Sequence, residues 1–316
     1  SSYYDTYEPT AKCPLGISRF FKNPKKMKTL KPIILGIAAM ISITATAQTY
    51  DLLDANNMRI GFNSNGFLFN DPANNAPSFE APKDSGIHTM WGGNLSFGGI
   101  NANGQLRQAG DLFNSDATWT VGPVMDVYSL MPASYQRLWK VESATIDYHI
   151  GVHNGTIVDP NYTTPASLAD WPAHGDVSLG MAFDLAPFVD LNQDGVYDPD
   201  NGDYPDICGD QCIYMIFNND NNQHLWKTGV EVHAMYCVFE CDIDEALEHT
   251  VFGSYRIINR STESLFDTYV GLFTDGDVGG SEDDYFQTDV ERSAYYFFNG
   301  NDFDAPGFTG LGYGNH

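Results

Sequence analysis

The sequence predicts an all-β protein: antiparallel β-sandwich-like or extended β-sheet units, with long acidic loops and few short helices. One observation is that short segments rich in β-branched and aromatic residues alternate with Gly, Asn and Asp turns. The other is that Asn-Gly pairs recur beside such segments, and both central residues of a tight hairpin turn need positive φ. The pairs that predict hairpins are Asn65-Gly66, Asn103-Gly104, Asn154-Gly155 and Asn299-Gly300.

Individual elements follow from these signals in chain order. The first hairpin is predicted at 58–70, and later strands at 212–218, 229–241, 250–259 and 267–275. Helical pattern is scarce. Two short helices are predicted, at 132–141 and at 242–250, the second with Asp242 as its N-cap.

The first 47 residues are predicted to be absent from the mature protein. Residues 27–47 have the three parts of a signal peptide: Lys28 and Lys31, a short apolar stretch, and small residues at Ala45–Ala47 before the cleaved bond. The apolar stretch is too short to span a membrane, which takes about 20 residues. Residues 1–26 precede the first methionine, and we interpret them as a non-native upstream extension.

The remaining chain is expected to form two β-rich units. The first covers 48–160 and the second 161–316, with a long polar, proline-bearing segment at 158–176 between them. The chain stops after a glycine-rich stretch with no closing strand. We therefore expect the second unit to be truncated at His316.

Charge excludes several classes of partner. The whole chain has a formal net charge of −25, and removal of the leader leaves 9 basic and 39 acidic residues, a net charge of −30. Such a surface repels nucleic acid and anionic membranes, whose binding depends on Lys and Arg. An aromatic content of 14% argues against disorder, which is poor in aromatic residues.

Four cysteines remain after the leader: Cys208, Cys212, Cys237 and Cys241. In an exported protein two disulfides are the leading interpretation, and the sequence leaves all three pairings open. A zinc site is the alternative, although two C-x3-C spacings match the usual C-x2-C pattern poorly.

The segment from 190 to 205, DLNQDGVYDPDNGDYP, resembles a calcium-binding loop. Its D-x-N-x-D-G spacing places short oxygen-bearing side chains at alternate positions, and Gly195 permits the sharp bend. Pro199 and the absence of Glu at the twelfth position argue against an EF-hand, so we predict a static, structural Ca²⁺ site. The predicted ligands are Asp190, Asn192, Asp194, Val196 through its carbonyl, Asp198, and Asp200 or Asp203. The alternative is a hydrated Asp/Asn turn, which these residues form for backbone reasons alone.

The sequence assigns no catalytic residue. A second acidic segment at 275–284 lacks the spacing of a calcium loop. His149 and His153 lie in a segment predicted as strand and turn, so no helical zinc motif follows. His174 and His233 are interpreted as structural histidines. The tryptophans could line a sugar-binding face, although core packing is the commoner role; they are Trp91, Trp119, Trp139, Trp171 and Trp226.

The chain resembles large secreted proteins of the Bacteroidetes that use the type IX secretion system. The matching segments are WGGNLSFGGINANGQL, YQRLWKV, DWPAHGD, LAPFVDLNQDGVYDPDNGDYPDICGDQCIYMIFN, GVEVHAMYCVFEC, YRIINRS and DTYVGLFTDGDVGG. The resemblance implies export to the medium or the outer cell surface, with secretion machinery reading a C-terminal domain that this sequence does not contain. It implies no catalytic residue.

Together these observations predict a secreted or cell-surface, calcium-stabilised β-protein with an adhesion or interaction role. Glycans or cell-surface proteins are the expected partners, and no membrane-spanning segment is expected in the mature chain. The alternative is a secreted polysaccharide-binding or polysaccharide-degrading protein that uses exposed tryptophans and a pair of acids.

Overall fold

The structure is a computed structural model, and it describes residues 49–110, 119–221, 227–279 and 283–300. The all-β prediction is confirmed, because antiparallel strands dominate these ranges. The predicted signal peptide and upstream extension lie outside the described residues. The strands are β1 (Tyr50–Leu53), β2 (Arg59–Asn63), β3 (Asn70–Asp71), β4 (Ala76–Pro77), β5 (Phe79–Glu80), β6 (His88–Asn101), β7 (Leu106–Ala109), β8 (Thr120–Val121), β9 (Trp139–Glu142), β10 (Phe188–Val189), β11 (Tyr204–Pro205), β12 (Gln211–Asn218), β13 (Val230–Val238), β14 (Val251–Asn259), β15 (Leu265–Gly276), β16 (Asp284–Asp289) and β17 (Ala294–Asn299). The α-helices are α1 (Ser143–His153), α2 (Ala166–Ala169) and α3 (Glu245–Glu248).

Two sheets form the body of the fold. Sheet 1 has the order β1-β2-β5-β6-β15, with β7 also paired to β6. Sheet 2 has the order β14-β13-β12-β8, with β9 also paired to β12. Both sheets combine strands from before and after residue 160. Three two-stranded ladders complete the described structure: β3 with β4, β10 with β11, and β16 with β17.

One face of sheet 2 packs on sheet 1, which makes a β-sandwich. On β12 the side chains of Ile213, Met215 and Phe217 belong to this sandwich core. Contact between the sheets is direct, since the rings of Phe62 and Tyr236 lie 4.7 Å apart. Each fully buried aliphatic or aromatic side chain of this kind contributes about 1.5–3 kcal/mol to folding.

The opposite face of sheet 2 is covered by the chain between β9 and β12. There Tyr214 and Ile216 of β12 join a second core with Trp139, Leu168 and Trp171. Every residue of β12 is therefore buried. A strand covered on both faces needs apolar side chains at successive positions, which explains the unbroken run CIYMIFN.

The predicted strands are found where the sequence placed them, as β2, β12, β13, β14 and β15. The Asn103-Gly104 turn is also confirmed. It joins β6 to β7, and Gly104 has a φ of +73°. At Asn65-Gly66 the chain reverses so that Phe62 bridges Leu68. The segment that would follow Asn299-Gly300 lies outside the described residues.

The hairpin predicted at Asn154-Gly155 is wrong. The segment before it forms α1, with Asn154 as the C-cap and Gly155 at a φ of +78°. Helix C-termini and tight hairpins both require a residue with positive φ, so the same dipeptide serves either structure.

The two predicted short helices also need correction. Residues 132–141 form a 3-10 turn at Ala133–Tyr135 followed by β9, because the apolar residues of this segment complete sheet 2. The second helix exists as α3. Its N-cap is Asp244 rather than Asp242, since the Asp244 carboxylate accepts hydrogen bonds from the N–H groups of Ala246 and Leu247.

The prediction of disulfides is confirmed by the bond between Cys208 and Cys237, and Cys241 is also disulfide-bonded. The four cysteines do not pair completely among themselves, because Cys212 is a free, buried thiol. Cys212 belongs to the central strand, where burial on both sides favours a small apolar residue, a role that a reduced cysteine fills well.

Candidate functional site

The predicted calcium-binding segment forms a closed loop, which we call the acidic loop (residues 190–203). The ladder of β10 and β11 closes it, with Val189 opposite Tyr204. Its first half, residues 190–196, is the loop tip, and it is largely exposed. A 3-10 turn at Pro199–Asn201 leads the chain back to the ladder.

Backbone N–H groups of the loop tip converge on Asp190. One carboxylate oxygen accepts from the N–H of Gln193 and the other from the N–H of Gly195, both at 2.7 Å. Gly195 has a φ of +78°, a backbone conformation that is unfavourable for most residues other than glycine. The motif spacing thus corresponds to a compact turn wrapped around one carboxylate.

Asn192 and Asp194 extend this arrangement. The Asn192 amide group donates to the Asp194 carboxylate at 2.9 Å, and its side-chain oxygen accepts from the Asp194 N–H at 3.0 Å. The second oxygen of Asp194 accepts from the N–H of Val196 at 2.8 Å. Alternate positions therefore carry polar side chains that fold back on the turn, which is the arrangement of the Asp/Asn turn given as the alternative.

Asp203 fixes the base of the acidic loop. Its side chain is 2% exposed, and its two oxygens accept from the N–H groups of Leu191 and Asp198, each at 2.9 Å. These hydrogen bonds hold the start of the loop, at Leu191, and its returning part, at Asp198, to the same carboxylate. The neighbouring Asp200 accepts from the hydroxyl of Thr164 at 2.6 Å, which joins the loop to the segment before α2.

His149 connects the loop base to α1. This fully buried ring has its Nε2 3.1 Å from the carbonyl of Asp203 and its Nδ1 2.7 Å from the hydroxyl of Tyr162. A carbonyl only accepts, so Nε2 donates and Nδ1 accepts from Tyr162. Burial, and then the charge of His153, lower the pKa of His149. Both ring nitrogens of His149 are thus hydrogen-bonded, and the lowered pKa favours the neutral ring.

The interpretation of His149 and His153 as strand residues is therefore wrong. They lie one turn apart on α1, with ring centroids 4.4 Å apart. His174 supports the loop from another side, because its Nε2 accepts from the N–H of Tyr197 at 2.9 Å. Sequence reasoning could not pair these histidines with the loop, because each contact joins positions more than twenty residues apart.

The loop tip offers donors of the type that Ca²⁺ prefers. A carboxylate provides about four lone-pair positions, and the two N–H contacts of Asp190 leave capacity for a cation. Asp203 is less suited, because both of its oxygens hold the loop base. Within the described residues, no three or more His, Cys, Asp or Glu side chains are gathered as a metal site requires.

The second acidic segment, 275–284, runs from the end of β15 to the start of β16. Burial raises the pKa of both Asp275 and Asp277, and the charge of Asp275 adds to the shift at Asp277. The Asp284 carboxylate accepts from the N–H of Val278 at 3.0 Å. Glu282 lies outside the described residues.

A row of buried, hydrogen-bonded polar side chains crosses one face of sheet 2. This is the face covered by the segment between β9 and β12, and we call it the loop-side face. Glu231 is fully buried, and one carboxylate oxygen accepts from His233 Nε2 at 2.8 Å and from Arg260 Nη2 at 2.6 Å. Its other oxygen accepts from the N–H of Val124 at 2.7 Å. His233 Nδ1 lies 2.6 Å from the hydroxyl of Tyr214. Burial by itself raises the pKa of Glu231, but these hydrogen bonds and the charge of His233 lower it below the usual value.

Three of the four described tryptophans are core residues. Trp119, Trp139 and Trp171 are each at most 5% exposed, and their rings belong to the two cores. Trp91, on β6, is half-buried. Trp226 lies outside the described residues. Most of the exposed aromatic side chains of the described residues belong instead to the last three strands, and the sequence signal for them is the density of Tyr and Phe there. They are Phe266, Tyr269, Tyr285, Phe286, Tyr295, Tyr296 and Phe298; Tyr148, Phe183 and Phe252 are exposed elsewhere.

The helices of the described ranges are all shorter, or less apolar, than a membrane-crossing helix needs to be. Comparison of the chain with known protein families, with curated proteins and with solved structures gives no match.

Proposed function

We propose that this protein is a secreted or cell-surface β-sandwich protein whose acidic loop binds Ca²⁺ and which serves adhesion or another interaction. The observation that carries the proposal is the loop tip, where alternate oxygen-bearing side chains surround a glycine-dependent turn. Asp190, Asn192, Asp194 and Asp198 would hold the ion, together with the carbonyl of Val196. A bound cation would neutralise carboxylates that otherwise repel each other.

The base and the tip of the acidic loop have different roles in this proposal. Asp203 and His149 hold the base against α1 through buried hydrogen bonds. The tip is exposed and relies on its own short-range contacts. Cation binding there would stiffen the part of the loop that a partner can reach, without being needed for the rest of the fold.

The expected location outside the cell supports the proposal that the acidic loop binds Ca²⁺. The leader at 27–47 has the pattern of an export signal, and extracellular calcium is near millimolar. A site with a Kd on the order of 10⁻⁴–10⁻³ M would be occupied there. The strongly acidic composition, with 41 Asp and Glu against 16 Lys and Arg, suits a surface that meets divalent cations.

Thermal unfolding in Ca²⁺ and in chelator tests the proposal. At 10 mM Ca²⁺, a Kd in this range corresponds to about 1.4–2.7 kcal/mol of added stability, a rise of a few degrees in Tm. The double variant Asp190→Asn/Asp194→Asn should lose this rise. The control Asp147→Asn removes an exposed charge on α1 and should keep it. An equal Tm in Ca²⁺ and chelator for the wild type contradicts the proposal.

The second candidate function is polysaccharide binding, favoured by the β16–β17 hairpin. Tyr285, Tyr296 and Phe298 share one face of this ladder by its register. The ring centroids of Tyr285 and Phe298 lie 6.0 Å apart, and those of Tyr296 and Phe298 5.9 Å apart. Gln287 accepts from the Tyr296 hydroxyl at 2.8 Å, so the row combines apolar rings with a polar edge.

Affinity electrophoresis through neutral polysaccharides separates the two candidates. Retardation of the wild type that is lost in Tyr285→Ala/Tyr296→Ala, and kept in the control Tyr269→Ala, favours polysaccharide binding. Migration of all three proteins at the rate seen without polysaccharide rejects it.

A further inference from the structure

Cys237 has two cysteines within disulfide reach. Its present partner is Cys208, with the Cα atoms 5.9 Å apart. Cys212 lies directly opposite Cys237 in the ladder of β12 and β13. Directly opposed residues of an antiparallel pair have Cα atoms about 4.5 or 5.5 Å apart, and both spacings fall within the range of disulfides.

The side chains of Cys212 and Cys237 also lie on the same face of sheet 2. Strand residues alternate between faces, and the neighbours Ile213 and Val238 both belong to the sandwich core. Directly opposed residues share a face, so Cys212 and Cys237 both point to the loop side. A free thiol therefore lies beside an existing disulfide, which is the arrangement that thiol–disulfide exchange needs.

We propose that Cys212 is an internal nucleophile that exchanges with the Cys208–Cys237 disulfide. The Cys212 thiolate attacks Cys237 Sγ, the Cys212–Cys237 bond forms, and the Cys208–Cys237 bond breaks. The electron pair of the broken bond leaves with Cys208, which becomes a thiolate and takes up a proton. One disulfide and one thiol are present before and after, so the step requires no external oxidant or reductant.

Exchange changes what the disulfide holds. Cys208 lies in the short segment between β11 and β12, directly after the acidic loop, and its bond ties that segment to β13. A Cys212–Cys237 bond would instead join two strands that are already hydrogen-bonded along their length. The exchange therefore releases the downstream end of the acidic loop from sheet 2 and leaves sheet 2 itself intact.

The released thiol is also the more accessible one. Cys208 is half-buried, whereas Cys212 and Cys237 are 0% exposed. Burial raises the pKa of the Cys212 thiol, so its reactive thiolate is scarce at neutral pH. Exchange is consequently slow at pH 7, and its rate should rise about tenfold per pH unit, because the thiolate fraction does so.

Alkylation of the native protein tests the exchange. The oxidised full-length chain, with all its cysteines, is incubated in iodoacetamide without denaturant at pH 7, 8 and 9, and its disulfides are then mapped by mass spectrometry. Exchange predicts alkylated Cys208 together with a Cys212–Cys237 bond, formed about ten times faster at each higher pH. In the control Cys212→Ser, which lacks the nucleophile, Cys208 should stay unlabelled.

A second variant keeps the proposal falsifiable. Folded Cys208→Ser should form the Cys212–Cys237 bond during air oxidation. The proposal is overturned if wild-type Cys208 stays unlabelled at every pH, or if Cys212 is labelled while Cys208–Cys237 persists. It is also overturned if folded Cys208→Ser retains reduced Cys212 and Cys237, or bonds either of them to another cysteine.

Discussion

The two faces of sheet 2 are stabilised in different ways, although the same strands supply both. On β13 the sandwich face carries Val232, Ala234 and Tyr236, which pack on sheet 1. The loop-side face of the same strand carries Glu231 and His233, which are hydrogen-bonded to each other. The sandwich face is stabilised mainly by apolar packing, with the hydroxyls of Tyr236 and Tyr255 hydrogen-bonded to each other. The loop-side face depends in addition on buried ionisable side chains, so it should contribute to the pH dependence of stability.

Loss of Glu231 should give the largest effect. Glu231→Ala leaves His233, Arg260 and the N–H of Val124 without their acceptor in a fully buried place. Removal of one partner from a buried charged network costs about 3–5 kcal/mol, which urea unfolding would measure. Glu231→Gln keeps the shape and should cost less. A loss below about 1 kcal/mol for Glu231→Ala would show that the network adds little and that the two faces do not differ in this way.

A matched pair of isoleucines on β12 provides the next largest effect. Ile213 belongs to the sandwich core and Ile216 to the loop-side core, and both are 0% exposed. Ile213→Ala and Ile216→Ala should each cost about 2–5 kcal/mol in urea unfolding, because each leaves a sealed cavity. Similar losses would show that the faces differ in their polar groups rather than in apolar packing. A much smaller loss for Ile216→Ala would mean that the loop-side layer is loosely packed.

Asp203→Asn should have an intermediate effect. Asparagine has one acceptor oxygen where aspartate has two, so one of the N–H groups of Leu191 and Asp198 loses its partner. An unsatisfied buried donor costs about 1–3 kcal/mol, measurable by thermal or urea unfolding. The exposed control Asp147→Asn should change stability little. Equal stability of the two variants would contradict the assignment of Asp203 as the holder of the loop base.

The smallest effect should be a pH dependence of stability to which the loop-side residues His149 and Glu231 contribute. His149 has a lowered pKa, so below the ordinary histidine pKa of about 6.5 the unfolded chain takes up a proton that the folded protein does not. Stability should be complete above this pH and decline as the pH falls below it. Glu231, also with a lowered pKa, should add a second decline below about pH 4.3.

Urea unfolding between about pH 2.5 and pH 8 would resolve the two declines. His149→Gln should reduce the decline that begins near pH 6.5, and the decline that remains should come from His88 of β6, whose pKa burial also lowers. Ile213→Ala, on the sandwich face, should keep the full decline. An unchanged pH profile in His149→Gln would place the titrating group elsewhere.

Strands and tight turns were predictable because their signals are local. The run CIYMIFN of β12 and the turn at Asn103-Gly104 are each specified by a few adjacent residues. The helix α1 was not predictable, since its Thr, Ile and Val residues suit a strand equally well and its final Asn-Gly suits a hairpin. Packing against the loop-side core decides in favour of the helix.

The acidic loop, too, was predictable from the sequence only in its local features. The spacing of Asp190, Asn192 and Asp194 indicated a compact turn, and the structure has one. The division between an exposed tip and a buried base was not visible in the motif. It depends on His149, 54 residues away from Asp203, and no local pattern records such a contact.

The pairing of β15 with β6 bears on the order of events during synthesis. Leu265 is opposite Asn101, 164 positions earlier in the chain. Sheet 1 therefore lacks an edge strand until nearly all of the described chain has been made, and loop closure over such a distance slows folding. The early strands of sheet 1 therefore stay incompletely paired until β15 has been made. Completion of the sandwich then coincides with the arrival of its last long strand.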